Sequence, residues 1–177
     1  MRLLTVLFLS FILSFTAFAQ SNKNSKPLAE PFIATALDGS TVNLADLRGK
    51  VVLVTFWSTR CPICAAEIPK LNQLAASYKG KDVVFLAPTV DNEDKVKNYL
   101  KKKTFNFNLL PGSFGILLKY ADRDRNGNVS LGYPAHFLIN QKGELETKAS
   151  GYDKTEMLNT QIAKLLKSNS VAANSTK

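Results

Sequence analysis

VVLVTFWSTRCPICAAEIP, Val51 to Pro69, is the stretch on which the reading of this chain turns. The apolar run Val51 to Trp57 has the length and β-branched content of a strand buried on both faces. A short polar loop follows and delivers Cys61 and Cys64, the only two cysteines in the chain. Three residues apart at the start of a helix, they lie on one face, which suits a disulfide or a shared ligand. Pro62 fits the first helical position, where a missing N–H costs nothing. The unpaired N–H groups and positive dipole end of that helix favour thiolate at Cys61, lowering its pKa from about 8.5 towards roughly 3.5–7.5. Cys61 is therefore the candidate nucleophile. Cys64, one turn in and better buried, is the candidate resolving thiol.

Working outward, 177 residues suit one domain with a core that needs no disulfide staple, which frees both cysteines for chemistry. Met1 to Ala19 carries one Arg, an apolar stretch and a closing Ala17-Phe18-Ala19, the pattern of a signal peptide cleaved near Ala19. An uncleaved anchor is the alternative, disfavoured by the short span and absent stop-transfer charges. Cleavage removes one Arg and no acid, so the formal net charge of +9 becomes +8. That balance implies attraction to acidic partners or membrane surfaces, with solubility the plainer reading and nothing pointing to nucleic acid.

Residues 20–30 read as a flexible leader, polar and patternless at Ser21 to Lys26, and 31–167 as the domain. Apolar segments around Asp38-Gly39 predict a hairpin over Phe32 to Val42. Periodicity predicts a helix from Cys61 to about Tyr78, kinked by Pro69, with Ile68, Leu71, Leu74, Ala75 and Tyr78 on its apolar face. Val83 to Leu86 reads as a second buried strand. Glu93 to Lys102 reads as a polar helix whose lysines form a solvated face or, less simply, a docking patch. Phe105 to Leu110 alternates, and Ser113 to Tyr120 reads as a short helix. Phe137 to Ile139 and Glu144 to Lys148 read as an antiparallel pair about the turn Gln141 to Gly143. Asp153 with Glu156 resembles a capping box for a last helix carrying Met157, Leu158, Ile162, Leu165 and Leu166. Residues 168–177 read as a disordered tail.

Such an order of strands and helices describes an α/β fold, a mixed sheet with helices on both faces. FWSTRCPIC with a proline five residues after the second cysteine, and Gly132-Tyr133-Pro134 before an FLI strand, resemble the thioredoxin fold. More narrowly, LDGSTVNLADLRGKVVLVTFWSTRCPICAAEIPKL, with its DG turn, GK before the strand and Glu-x-Pro after the CxxC, resembles the secreted TlpA/ResA branch of the thiol-disulfide oxidoreductases. The resemblance runs from about Pro31 to Leu166. It implies a thioredoxin fold with an N-terminal hairpin extension, in an exported, periplasmic disulfide reductase. Such an enzyme has no cofactor beyond its redox-active disulfide, protein thiols and disulfides as substrates, and a membrane electron donor of the DsbD or CcdA type. Reductases that prepare apocytochrome c for haem attachment belong to the family. The CcmG type, however, usually follows the cis-proline with Glu, where this chain has Ala135.

The resemblance also assigns roles. Pro134 matches the family's cis-proline beside the CxxC, which lets Tyr133 offer its backbone to an extended substrate; Trp57 is grouped with these two on the substrate side. An ordinary trans proline is the alternative. Glu67, three after Cys64, matches a glutamate implicated in proton handling, although an exposed first-turn glutamate explains it almost as well. Thr55 stands where thioredoxins proper carry a buried Asp. Arg60 departs from the family's usual Trp and, with Pro62 and Ile63, is expected to tune the thiolate.

A structural disulfide over so short a loop would restrain the unfolded chain little, and zinc lacks further ligands. The lone histidine, His136, reads as a strand-face polar group or as a copper or haem ligand with the two sulfurs. A copper metallochaperone is thus the rival from another class, although Sco-type proteins place three residues between their cysteines. A thiol oxidant is the alternative within the class. Asp122 to Ser130 matches the start of an EF-hand loop, but the twelfth position is Tyr133, so a plain turn is expected and no metal site.

Overall fold

The computed structural model describes residues 26–174, with side chains to residue 168. The expected signal peptide and the first part of the leader lie outside the described residues. The hairpin appears as β1 (Ile33–Thr35) and β2 (Thr41–Asn43), paired antiparallel about Asp38-Gly39, with Gly39 at φ +86°. A short 3-10 turn, Leu44–Leu47, leads to β3 (Val51–Phe56). The helix α1 (Pro62–Ser77) follows and runs through Pro69. Then come β4 (Val83–Pro88), α2 (Glu93–Leu100), β5 (Asn108–Leu110) and α3 (Phe114–Tyr120). A small hairpin, β6 (Asp122–Arg123) with β7 (Val129–Ser130), precedes β8 (Ala135–Ile139), β9 (Leu145–Ser150) and α4 (Thr155–Asn174).

The main sheet has the order β5-β4-β3-β8-β9, with β3, β4 and β5 parallel and β8 and β9 antiparallel to their neighbours. All six residues of β3 are buried, because it is the central strand and both of its faces are covered. Val51, Leu53 and Trp57 face α1, Val96 of α2, and Leu158 and Ile162 of α4. Val52, Val54 and Phe56 face α3, the N-terminal segment and Leu44. Each face thus has its own apolar core.

Three expectations are corrected. The leader is fixed from its Lys26 to Glu30 end. Leu145 N–H donates to Pro27 O at 2.8 Å, Ala29 N–H to Gly143 O at 3.0 Å, and the Tyr120 hydroxyl to Glu30 O at 2.8 Å, while Lys26 pairs with Glu146. These are mostly backbone bonds, which any residue type can make. The tail is helical as far as Asn174, since α4 contains no Gly or Pro to stop it. The capping box does not form. Asp153 is held at φ +63°, its carboxylate pairs with Lys70 at 2.7 Å, and the approach to α4 is held by Glu67 instead.

The Asp122 to Ser130 segment is a β-hairpin whose turn is organised by Asp124, which accepts from Asn126 N–H and Asn128 N–H at 2.8 and 2.9 Å. The Asn128 side chain, donating Nδ2–H to the other Asp124 oxygen at 2.7 Å, and then those backbone bonds hold the Asp124 carboxyl below its usual pKa. Among the described residues no helix is long and apolar enough to cross a membrane.

Candidate active site

The sheet sets the site. β3 ends at Phe56, the loop 57–60 turns over the sheet's end, and α1 starts there with Cys61 as its N-cap. Cys61 and Cys64 form a disulfide with Cα atoms 5.2 Å apart. The Cys61 Sγ accepts the N–H of Cys64 at 3.0 Å, so this sulfur caps the helix, and Pro62 occupies the first turn as expected. Cys61 is half-buried, whereas Cys64 is only 2% exposed and packs with Ile68 and Leu71. Ile63 is 47% exposed, and Arg60 lies at the surface.

Trp57 is not on the surface that a substrate meets. It is 1% exposed, donates Nε1–H to Ala87 O at 3.2 Å, and stacks edge-on against Tyr99 and Phe105, each 5.2 Å away. An amphipathic ring between two aromatic neighbours is drawn under the loop, not over it.

The Tyr133–Pro134 peptide is cis. It leads straight into β8, whose first residue, Ala135, pairs with Phe56 at the end of β3. That register brings Tyr133 and Pro134 to the same end of the sheet as the cysteines. Tyr133 packs against both cores, and burial, together with the charge of Asp91, raises its hydroxyl pKa.

Glu67 is fully buried, which overturns the picture of an exposed first-turn glutamate. Its Oε2 accepts Asp153 N–H at 3.0 Å, and its Oε1 accepts Lys154 N–H at 3.0 Å and the Thr155 hydroxyl at 3.3 Å. It sits one turn beyond Cys64 and ties α1 to α4.

His136 is fully buried on the α1 side of β8, cross-strand from Thr55, with Nδ1 3.0 Å from the Thr55 hydroxyl. Its Nε2 has no partner. Burial, and secondarily the charge of Lys154, pushes its pKa down to about 4, so it is neutral at physiological pH. Among the described residues, no group of three or more His, Cys, Asp or Glu side chains is placed to hold a metal ion.

Sequence reasoning missed Asp91. This residue, in the loop between β4 and α2, is 3% exposed. Its Oδ2 accepts the Thr59 N–H at 2.7 Å, the Ser58 hydroxyl at 2.9 Å and the Thr59 hydroxyl at 3.0 Å, fastening the loop that enters Cys61. Burial alone would push its carboxyl up, but the bonds from Thr59 and Ser58, with the charge of Lys95, hold it below the usual range. An aspartate three residues after the strand, followed by the N-cap Asn92, looks in sequence like part of an ordinary turn into a helix.

The Redoxin family matches residues 15–166. Thiol-disulfide oxidoreductase ResA of Bacillus cereus (strain ATCC 10987 / NRS 248) is 31% identical over 170 residues, covering 93% of this chain and 94% of that protein. Sporulation thiol-disulfide oxidoreductase A of Bacillus subtilis (strain 168) is 25% identical, with 89% and 94% covered. Among solved structures, a thiol:disulfide interchange protein of the thioredoxin family from Chlorobium tepidum TLS superposes with a TM-score of 0.70 at 22% identity, covering 81% of this chain and 99% of that one.

Proposed function

The chain belongs to the Redoxin family and is a thiol-disulfide oxidoreductase of the TlpA/ResA-like branch, and on that premise we propose that it is an exported reductase of protein disulfides. In this reading the Cys61 thiolate attacks a substrate disulfide, forming a Cys61–substrate mixed disulfide and releasing one substrate thiolate, which takes up a proton. Cys64 then gives up its proton and attacks the Cys61 sulfur. The Cys61–Cys64 disulfide forms, the second substrate thiolate leaves, and two electrons have passed to the substrate.

The observation that carries the assignment of roles is the difference between the two sulfurs. Cys61 is accessible and sits at the helix N-cap, with an N–H aimed at it, whereas Cys64 is sealed beneath. Glu67, one turn from Cys64, is the group proposed to handle its proton, and the backbone at Tyr133 and Pro134 is proposed as the docking edge for the substrate chain. Export rests on the Met1 to Ala19 pattern. Outside the cytoplasm a reductase must be recharged, and a membrane thiol donor of the DsbD or CcdA type suits that need, with proteins bearing oxidised cysteine pairs, apocytochrome c among them, as the substrates.

Cys61→Ser is expected to abolish exchange, and Cys64→Ser to accumulate a mixed disulfide detectable by mass spectrometry. Trapping by the Cys61 variant in place of the Cys64 variant would reverse the roles. Equilibration with glutathione tests direction: a reductase should lie on the reducing side of about −200 mV.

A further inference from the structure

We propose that Asp91 is a positioning residue that sets the redox poise of the cysteine pair: it fastens the loop entering Cys61 and holds a fixed negative charge beside it that disfavours the thiolate. The proposal rests on the reading of Cys61 as the reacting sulfur and adds the group that restrains it.

The geometry is local and specific. Three donors from Ser58 and Thr59 converge on one oxygen of Asp91, and the Thr89 hydroxyl approaches the same oxygen at 3.4 Å. The loop they fasten closes on itself: Cys61 N–H donates to Ser58 O at 3.1 Å, and Arg60 N–H to the Ser58 hydroxyl at 3.3 Å. Asp91 itself is pinned by its N–H to the Thr89 hydroxyl at 3.2 Å and by Gly112 N–H to its carbonyl at 2.9 Å. A carboxylate so held cannot swing away from the turn that carries Cys61, only two residues beyond Thr59. The titratable groups coupled to it by charge are Lys95 from α2 and Tyr133 from the segment before β8, and Arg60 and Cys61 follow next on the loop it fastens. After burial, the charge of Asp91 helps to raise the hydroxyl pKa of Tyr133, beside the cis peptide at the same end of the sheet.

A nearby like charge opposes ionisation. The helix N-terminus stabilises the Cys61 thiolate, and Asp91 works against it. A less stabilised thiolate makes the dithiol less favourable relative to the disulfide, so the pair gives up electrons more readily. This is the poise a reductase needs, placed on a helix N-cap that by itself favours the oxidant.

The test is thiolate absorbance titration of Cys61 in a Cys64→Ser background, which reads the sulfur whatever the substrate or direction. Asp91→Asn keeps the size and one accepting oxygen while removing the charge. It should lower the Cys61 pKa by about one unit. In the two-cysteine protein, measured above that pKa, it should shift the equilibrium with glutathione about tenfold towards the dithiol, a rise of about 30 mV. Thr59→Val keeps the backbone bond but removes one hydroxyl donor from the carboxylate, leaving its charge less neutralised, and should raise the Cys61 pKa. A purely structural Asp91 predicts a lower melting temperature and an unmoved pKa. An Asp91→Asn pKa that stays or rises, or a Thr59→Val pKa that stays or falls, overturns the proposal. Failure of the Cys61 reading looks different, because Cys61→Ser would then retain exchange.

Discussion

The two sides of the Cys61–Cys64 pair are each held by a buried carboxylate, and the two carboxylates do different work. Before Cys61, Asp91 gathers its donors on one oxygen, all from the strand end and the loop that leads into Cys61. After Cys64, Glu67 divides its oxygens among the N–H groups of Asp153 and Lys154 and the hydroxyl of Thr155, more than 80 residues away in sequence. The first arrangement fixes a carboxylate against the loop that enters Cys61. The second spends the same functional group on joining two helices. Placement, and not residue type, separates tuning from bracing.

The largest expected effect lies on the bracing side. Glu67→Ala removes the acceptor from two N–H groups and a hydroxyl and leaves a void, so urea denaturation should show a loss of about 3–5 kcal/mol. Glu67→Gln, which retains an accepting oxygen, should lose less stability. If it slows the release of substrate from the mixed disulfide at unchanged melting temperature, Glu67 also handles the Cys64 proton, and the contrast with Asp91 narrows. If it lowers the melting temperature and leaves the resolving step alone, the contrast stands.

Next in size is an acid effect from the same side of the sheet. His136 has a folded-state pKa of about 4, below the 6.5 of the free side chain. The unfolded chain therefore takes up a proton in this window and the folded chain does not. The stability that the neutral imidazole contributes is full above pH 6.5 and is lost as the pH falls towards 4, by up to about 3 kcal/mol. His136→Leu should flatten that part of the stability profile while the exchange chemistry at neutral pH persists. An unchanged acid slope in the variant would assign the loss to carboxylates, Asp91 among them.

The smallest effect belongs to the exposed side of the loop. Arg60→Trp removes a solvated cation, and the Cys61 pKa should rise by less than about one unit. The shift should be opposite in sign to that of Asp91→Asn and smaller. A larger shift for Arg60 than for Asp91 would reverse the ranking of the two charges and favour the oxidant alternative.

Much of this protein was legible from its residues taken in order. Strand β3, the helix starting at Pro62, the hairpin around Asp38-Gly39 and the turn before Glu144 all follow from patterns within a few residues: apolar runs, a proline at the first helical position, glycine where φ is positive. The CPIC spacing at a strand end likewise placed both cysteines at the start of one helix, where they form a disulfide.

What only the tertiary structure decided depends on partners that sequence spacing does not encode. Pro27 to Glu30 is held by backbone groups of Gly143 and Leu145 and by the Tyr120 hydroxyl, and a backbone bond leaves no mark on residue type. Asp153 had the sequence of a cap, but a lysine and a glutamate from α1 met it first. Trp57 went under the loop because Tyr99 and Phe105 make an apolar slot there. His136 found Thr55 across a strand pairing 81 residues apart, and Asp91 found Ser58 and Thr59 across the top of the sheet. An acid or an imidazole in a sequence is only a capacity for charge and hydrogen bonding; the desolvation and the donors that fix what it does arrive with the fold.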